Sequence, residues 1–252
     1  MSSQSTVFVI DVGNSNLHHG LIKNENMIQY KTTKHHELSS VPWDEIKNNN
    51  YPIVIAGALH HVNSLIETIQ TTYKINFIRL ETKNQNTIKN TYEKLGIDRV
   101  CNLIAALKLF NSSIIVCDFG TATTISTCNK EGVFLGGVLR AGLETELNAI
   151  STYPLSLPKV EIKETEEIIN VDYLAKSPEE AILQGVILGQ IAFIEYFINL
   201  FKQETDPKPK IVLTGGNASV ITRLYKGFDL YDPHLTLKGM YYCYQSTLTH
   251  TS

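Results

Sequence analysis

Apolar runs of strand length recur along the chain, and two of them finish in the same way. Residues 7–10 lead into Asp11-Val12-Gly13-Asn14-Ser15-Asn16, and residues 114–117 lead into Asp118-Phe119-Gly120-Thr121-Ala122-Thr123-Thr124. A short continuous apolar run reads as a strand buried on both faces. Burial gives no reason for an aspartate, a glycine and a hydroxyl cluster at its end, so that part asks for a chemical one. Behind each unit comes a strand, a polar turn (residues 23–26 and 129–132) and another strand (27–31 and 133–139), the pattern of an antiparallel meander. This repetition predicts two related halves facing a shared ligand.

Between these landmarks the pattern alternates. Residues 43–50, 62–73 and 100–110 read as helices; the last is apolar at Val100, Leu103, Ile104 and Leu107. Residues 51–57, 75–80 and 211–214 read as buried strands, and the last of these runs into Gly215-Gly216. The stretch from Gly136 to Gly142 opens a helix through Ile150, while 81–90 and 154–172 look irregular. Ser177 and Pro178 suit the N-cap and first position of a long helix that ends near Lys202. Gly96-Ile97-Asp98-Arg99 stands at the start of the 100–110 helix, where the plain reading of Asp98 is an N-cap or first-turn acid.

Composition narrows the class. A chain of 252 residues holds one large domain or two smaller ones, and a net charge of −3 leaves no basic footprint for nucleic acid. Three adjacent histidine pairs (18–19, 35–36, 60–61) read as surface or loop residues, because neighbouring side chains diverge and no H-E-x-x-H pattern occurs. The four cysteines lack C-x-x-C spacing and read as reduced, partly buried thiols of a cytoplasmic protein. The polar first six residues predict no signal peptide. Residues 181–201 are about long enough to cross a bilayer, but Gln184, Gln190, Glu195 and Asn199 interrupt them. A buried helix packed closely through Gly185 and Gly189, serving also a subunit interface, is expected instead of a membrane span.

Neither G-x-x-x-x-G-K-[ST] nor G-x-G-x-x-G is present. A glycine after an aspartate in a hairpin nevertheless lets backbone N–H groups converge on anionic oxygens. Ser15, Thr121, Thr123 and Asn14 could add donors. The aspartates would repel a bare phosphate, which points to Mg²⁺ or another hard cation between them. Gly215-Gly216 lets a flat group such as a base approach the backbone. The pattern describes a nucleotide held between two lobes; the plain alternative is that the glycines only turn hairpins.

The duplicated Asp-x-Gly layout resembles the acetate and sugar kinase/Hsp70/actin superfamily, and within it the type III pantothenate kinases, nearly end to end. Carrying residues are Asp11 to Asn16, Gly96-Ile97-Asp98-Arg99 with Asn102, Ala105 and Ala106, and Asp118 to Thr124. Gly136-Gly137 with Gly142, Thr214-Gly215-Gly216 and Asp232-Pro233-His234-Leu235-Thr236-Leu237-Lys238-Gly239 complete the set. The resemblance implies an α/β fold of duplicated ribonuclease H-like (actin-like ATPase) lobes, each a mixed sheet flanked by helices. It puts them at 1–110 and 111–252, with the long helix at a dimer interface.

The activity it implies is ATP-dependent phosphorylation of pantothenate to 4′-phosphopantothenate, the first step of coenzyme A biosynthesis. By motif position, Asp98 is the proton acceptor, and Gly96, Ile97, Asp98 and Arg99 line the substrate. Asp11, Val12, Gly13, Asn14, Ser15 and Asn16 bind the ATP phosphates, with Mg²⁺ near Asp11. Thr121 contacts ATP, as do Gly215 and Gly216, and Asp118 binds a monovalent cation, K⁺ or NH₄⁺. A cytoplasmic homodimer follows from the same likeness. Some positions depart from the family pattern. Leu139 and Ala141 stand where it has Ile and Pro, and Pro178 replaces a substrate-contacting Thr, so Ser177 takes that contact. The loop after Tyr92, the substrate-facing candidate, is shorter, and residues 56–61 replace a Ser-Ser-Val turn. Other readings are a kinase of another small alcohol, a phosphoanhydride hydrolase, and a nucleotide-sensing regulatory protein.

Overall fold

A computed structural model of the chain describes residues 6–14, 16–57, 60–152, 157–162, 174–204 and 208–249. The chain divides into two units. One comprises Met1–Leu109, Gly132–Phe134 and His234–Ser252; the other comprises Phe110–Glu131 and Leu135–Pro233.

In the first unit, β1 (Thr6–Val12), β2 (Asn16–Lys23), β3 (Asn26–Lys34), β4 (Ile53–Ala56) and β5 (Ile78–Arg79) form a five-stranded sheet in the order β3-β2-β1-β4-β5. β1–β2 and β2–β3 pair antiparallel, β1–β4 and β4–β5 parallel. Its helices include α1 (Trp43–Asn48), α2 (His60–Tyr73) and α3 (Ile97–Phe110). Period-2 alternation along β1 turns Phe8, Ile10 and Val12 into one cluster with Leu17, Leu21, Trp43, Ile55, Ile66 and Ile69. Val7 and Val9, fully buried, face the other side. Coverage on both faces is why the strand reads as an unbroken apolar run.

The second unit repeats the plan. β6 (Ile114–Phe119), β7 (Ala122–Cys128), β8 (Phe134–Ala141), β9 (Lys210–Thr214) and β10 (Leu230–Tyr231) are ordered β10-β9-β6-β7-β8, the first sheet's order read backwards along the list. β6 pairs antiparallel with β7 and parallel with β9. α4 (Leu143–Thr152), α5 (Pro178–Glu204) and α6 (Ala218–Leu224) accompany it. Val186, Ile187, Ile194 and Ile198 of α5 form a stripe that packs on Ile115, Cys117, Phe119 and Ile125 of the sheet. Two mixed sheets of one topology, each flanked by helices, are the layout expected from the resemblance.

Several expectations need correction. The C-terminal helix α7 (Leu235–Thr249) was expected in the second lobe and belongs to the first unit, where it packs on β1, β2 and β4. The contact is close because Gly239 lies against the Cys101 carbonyl of α3, where any Cβ would collide. Thr236 Oγ1 also donates to Asn102 Oδ1 at 2.8 Å, joining the first turn of α7 to α3. Residues 136–141 continue as strand, and the helix begins at Leu143. Gly142 is the hinge: its N–H donates to the Thr121 carbonyl at 2.9 Å, and backbone fills the space a side chain would need. The strand expected over 75–80 shrinks to Ile78–Arg79, a two-residue edge.

The glycines of α5 also differ from expectation. Gly185 and Gly189 have open space beside them where close packing was expected. The helix is long and apolar enough to cross a membrane by length and composition alone. All four cysteines are free and buried.

Candidate active site

Asp11 sits near the end of β1 and opposes His18 of β2, so both side chains project from one face of the sheet. The Gly13 N–H donates to the Asn16 carbonyl at 3.0 Å and closes the turn, leaving Asn14 exposed. Ser15 lies outside the described residues. His18 and His19 stand on the strand expected behind the first hairpin. His18 Nδ1 lies 3.0 Å from the Tyr30 hydroxyl and 3.2 Å from Thr32 Oγ1. Burial, then the neighbouring His234, lowers its proton affinity. His19 turns to the opposite face and is buried, its Nε2 2.9 Å from Thr33 Oγ1.

The second acid of this unit is Asp98. Gly96 caps α3, since its carbonyl accepts the first helical bond from the Val100 N–H at 3.3 Å. Asp98 is therefore a first-turn residue, as its sequence position allows. Its carboxylate folds back over Gly96, where a Cβ would land on Oδ1. Burial raises its proton affinity; hydrogen bonds from the backbone N–H groups of Arg99 and Asp98, and the Arg99 charge, oppose that rise without cancelling it. Burial, Cys243, Asp11 and Asp98 together push the Cys101 thiol up, which places both carboxylates within electrostatic reach of one point on α3. Arg99 is buried, and its Nη1 donates to the Tyr92 hydroxyl at 3.1 Å. Tyr92, separated from the motif by a shortened loop, is thus brought onto it.

In the second unit Asp118 opposes Thr124 across β6–β7 and Thr214 across β6–β9. Gly215 adopts φ +95°, and a Cβ there would collide with Asp118 Oδ1 and the Phe119 backbone. Only glycine suits that position. Beside it, Gly216 opens onto free space. Thr121 is exposed, while its carbonyl accepts from the Gly142 N–H at 2.9 Å and Thr145 Oγ1 at 2.7 Å, fixing the backbone beneath. The proline missing at position 141 has a substitute: Gln190 Nε2, from α5, donates to the Ala141 carbonyl at 2.9 Å. Arg140 binds Glu146 through Nε at 2.9 Å and the Gly189 carbonyl through Nη1 at 3.0 Å. Ser177 Oγ accepts the Glu180 N–H at 3.3 Å, the N-cap bond expected of it, with Pro178 as the first helical residue.

Sequence reasoning missed three partners of these residues. His18 faces Asp11, Asn102 anchors α7 to the helix that carries Asp98, and Phe134 lies edge-on to Tyr92, 6.0 Å between ring centroids. A strand register written out from the two hairpins would have found His18; the other two depend on tertiary packing.

Among the described residues no three His, Cys, Asp or Glu side chains gather into a metal cage. Asp11 and Asp118 would each offer a single hard-oxygen ligand. One carboxylate suits a cation whose remaining ligands are phosphate oxygens and water, as is common for Mg²⁺.

The family model described as type III pantothenate kinase matches residues 7–200 of this chain. A solved structure from Campylobacter jejuni, assigned to the Baf family of transcriptional activators, is 22% identical with a TM-score of 0.61, covering 96% of this chain and 100% of that one. The ROK hexokinase from Thermus thermophilus is 12% identical, with a TM-score of 0.52 over 96% of this chain and 99% of its own. A Listeria monocytogenes protein assigned as an N-acetylmannosamine kinase is 14% identical, with a TM-score of 0.51 over 96% and 99%. These likenesses are of fold: two lobes of the actin-like ATPase type.

Proposed function

The chain belongs to the type III pantothenate kinase family, and from that premise we propose that it transfers the γ-phosphoryl group of ATP to the primary hydroxyl of pantothenate, giving 4′-phosphopantothenate. This is the first committed chemistry towards coenzyme A. The observation that carries the reading is Asp98: a helix-start carboxylate of raised proton affinity, folded back over Gly96 beside an Arg–Tyr pair.

Phosphoryl transfer asks the protein for position and charge neutralisation more than for covalent chemistry. Asp98 orients the acceptor hydroxyl and takes its proton as the bond to phosphorus forms; a carboxylate pulled up towards working pH is suited to that task. Arg99 and Tyr92 offer donors to the polar end of the substrate, with Gly96 and Ile97 forming the wall beside them and Ser177 the contact at the start of α5. The Asp11–Asn16 turn holds the phosphates, and Asp11 and Asp118 hold the divalent and monovalent cations. A Mg²⁺ ion bound at Asp11 would neutralise phosphate charge. Thr121 and the Gly215–Gly216 turn take the rest of the nucleotide. The open glycine face of α5, with Tyr196 61% exposed on the same helix, is the surface for a second copy in a cytoplasmic homodimer.

The C. jejuni likeness favours a second reading, a nucleotide-sensing regulator, and the sugar-kinase neighbours a third, phosphorylation of another small alcohol. One coupled ADP-release assay separates them, run with Mg²⁺, with and without K⁺, on pantothenate and a panel of alcohols. Release that needs pantothenate and K⁺, with the phosphorylated product seen by mass spectrometry, is expected. Release with a different alcohol only, or nucleotide binding without turnover, would overturn it.

A further inference from the structure

Tyr92 is 52% exposed, so burial cannot choose the orientation of its ring. Two contacts do. Its hydroxyl accepts the bond from Arg99 Nη1 at 3.1 Å, and the Phe134 ring meets it at 6.0 Å and 64°, the edge-to-face arrangement aromatic pairs favour. Phe134 is itself fixed from its backbone. The Lys89 N–H donates to the Gly132 carbonyl at 2.7 Å, and the Phe134 N–H to the Lys89 carbonyl at 2.9 Å. Gly132, at φ +75°, sits so close to the Thr87 carbonyl that no side chain fits. The Tyr92 backbone is pinned from its other side: the Leu95 N–H donates to the Tyr92 carbonyl at 3.0 Å, and Thr82 Oγ1 to the Leu95 carbonyl at 2.8 Å.

We propose that Phe134 is a positioning residue for the acceptor substrate: its ring holds Tyr92 in the rotamer that keeps the phenol on Arg99, and so sets the polar edge against which the substrate is read. This rests on the kinase reading above and deepens it. Asp98 immediately precedes Arg99 in the same helical turn, so the chain of contact runs Phe134, Tyr92, Arg99, and ends next to the proposed proton acceptor. Phe134 touches no reacting atom. Its loss frees the Tyr92 ring and raises the KM for the alcohol, leaving the nucleotide, bound through other residues, unaffected.

The test compares Phe134→Leu, which keeps apolar volume but removes the ring, with Phe134→Tyr, which keeps the edge; Phe134→Met stands in should the leucine variant not fold. Phe134→Leu is expected to raise the KM for pantothenate about three- to tenfold, the size of an aromatic pair contact. The KM for ATP stays at its wild-type value, the melting temperature falls only slightly for the lost ring contact, and Phe134→Tyr stays within about twofold of wild type. In a Tyr92→Ala background Phe134→Leu should have no further effect. A proportional rise in the KM for ATP, or an undiminished effect without Tyr92, would overturn the proposal. A second arm needs no turnover. In protein labelled with 3-fluorotyrosine, Tyr92→Phe identifies the residue-92 resonance among the twelve tyrosines, and Phe134→Leu should shift it. An unmoved resonance overturns the proposal even in an active enzyme. A wild-type protein inert towards pantothenate, but with a shifted resonance, overturns the kinase reading while leaving the ring contact standing.

Discussion

The two acidic hairpins share one plan and are finished differently. Asp11 and Asp118 hold the same place, one antiparallel partner on one side and one parallel partner on the other. Across the antiparallel pair, Asp11 faces a histidine and Asp118 a threonine; across the parallel pair, Asp11 meets Ala56 and Asp118 meets Thr214. The second acid is closed off by a positive-φ glycine, Gly215. The first instead shares its unit with a helix start that carries Asp98, Arg99 and their partner Tyr92. The sheet was duplicated; the chemistry was divided. On the proposed reading, the first unit supplies the groups that react with and recognise an acceptor, and the second a rigid backbone cradle.

The largest expected effect tests the reacting side. Asp98→Asn keeps the shape of the helix start and removes the proposed proton acceptor, so kcat should fall by about 10²–10⁴-fold. The same change should stabilise the protein at neutral pH. The Asp98 value is raised above 3.8, so at neutral pH the native state carries a buried charge that the unfolded chain does not penalise. Below 3.8 both states are protonated and the cost disappears. The melting temperature of the asparagine variant should therefore exceed wild type at pH 7, with the gain shrinking as pH falls towards 4. A variant that is inactive and also less stable at pH 7 would mean that Asp98 serves as a structural cap.

Next in size is the cradle. Gly215→Ala forces an L side chain into φ +95° and onto Asp118, while Gly216→Ala meets open space. The strain alone is worth about 1–3 kcal/mol. Gly215→Ala should lower the melting temperature and, to the extent the strain falls on the nucleotide turn, raise the KM for ATP by about five- to 150-fold, since 1.4 kcal/mol is a factor of ten. Gly216→Ala should leave stability unchanged. Equal tolerance of both, measured by thermal unfolding and nucleotide titration, would erase the distinction drawn between the two hairpins.

Much of this division was legible in the chain. Strand–Asp–x–Gly units announce themselves because a buried strand has no other use for a terminal carboxylate, and their repetition announced two sheets of one topology. The start of α3 was legible for the same reason: a glycine, an acid and an arginine precede a periodic apolar helix. What stayed hidden depends on contacts between distant segments. Nothing local says that residues 235–249 return to the first sheet, because the deciding contacts are Gly239 on the Cys101 carbonyl and Thr236 on Asn102, 134 residues apart. The boundary at Gly142 was misplaced because glycine-rich sequence reads equally as strand end and helix start; the Thr121 carbonyl decides it. Small residues at four-residue spacing usually mark close packing, yet among the described residues no atom stands within 4 Å of where a Cβ of Gly185 or Gly189 would be.

The smallest effect sharpens the comparison from inside the sheets. His19 opposes Ile10, the residue before Asp11, and the matching position beside Asp118 pairs Cys117 with Ile125. The first sheet thus buries a titratable ring where the second buries an isoleucine. Burial first, then the charges of Lys31 and His18, lowers the His19 value from 6.5 to about 4. A base whose folded value is depressed supports the native state in its neutral form: the full contribution is present above 6.5, and it is lost as pH falls through the window down to about 4. By pH 5 that loss amounts to about 2 kcal/mol, because the unfolded chain has gained a proton that the native sheet refuses. His19→Ile copies the second sheet into the first and leaves Thr33 Oγ1 with Ser40 Oγ, 3.5 Å away, as its remaining partner. The variant is expected to be somewhat less stable at pH 7, for the lost bond to Thr33, and to show a flatter decline in melting temperature between pH 6.5 and 4.5 than wild type. An unchanged acid slope would place the acid sensitivity elsewhere and leave the two sheets alike in this respect.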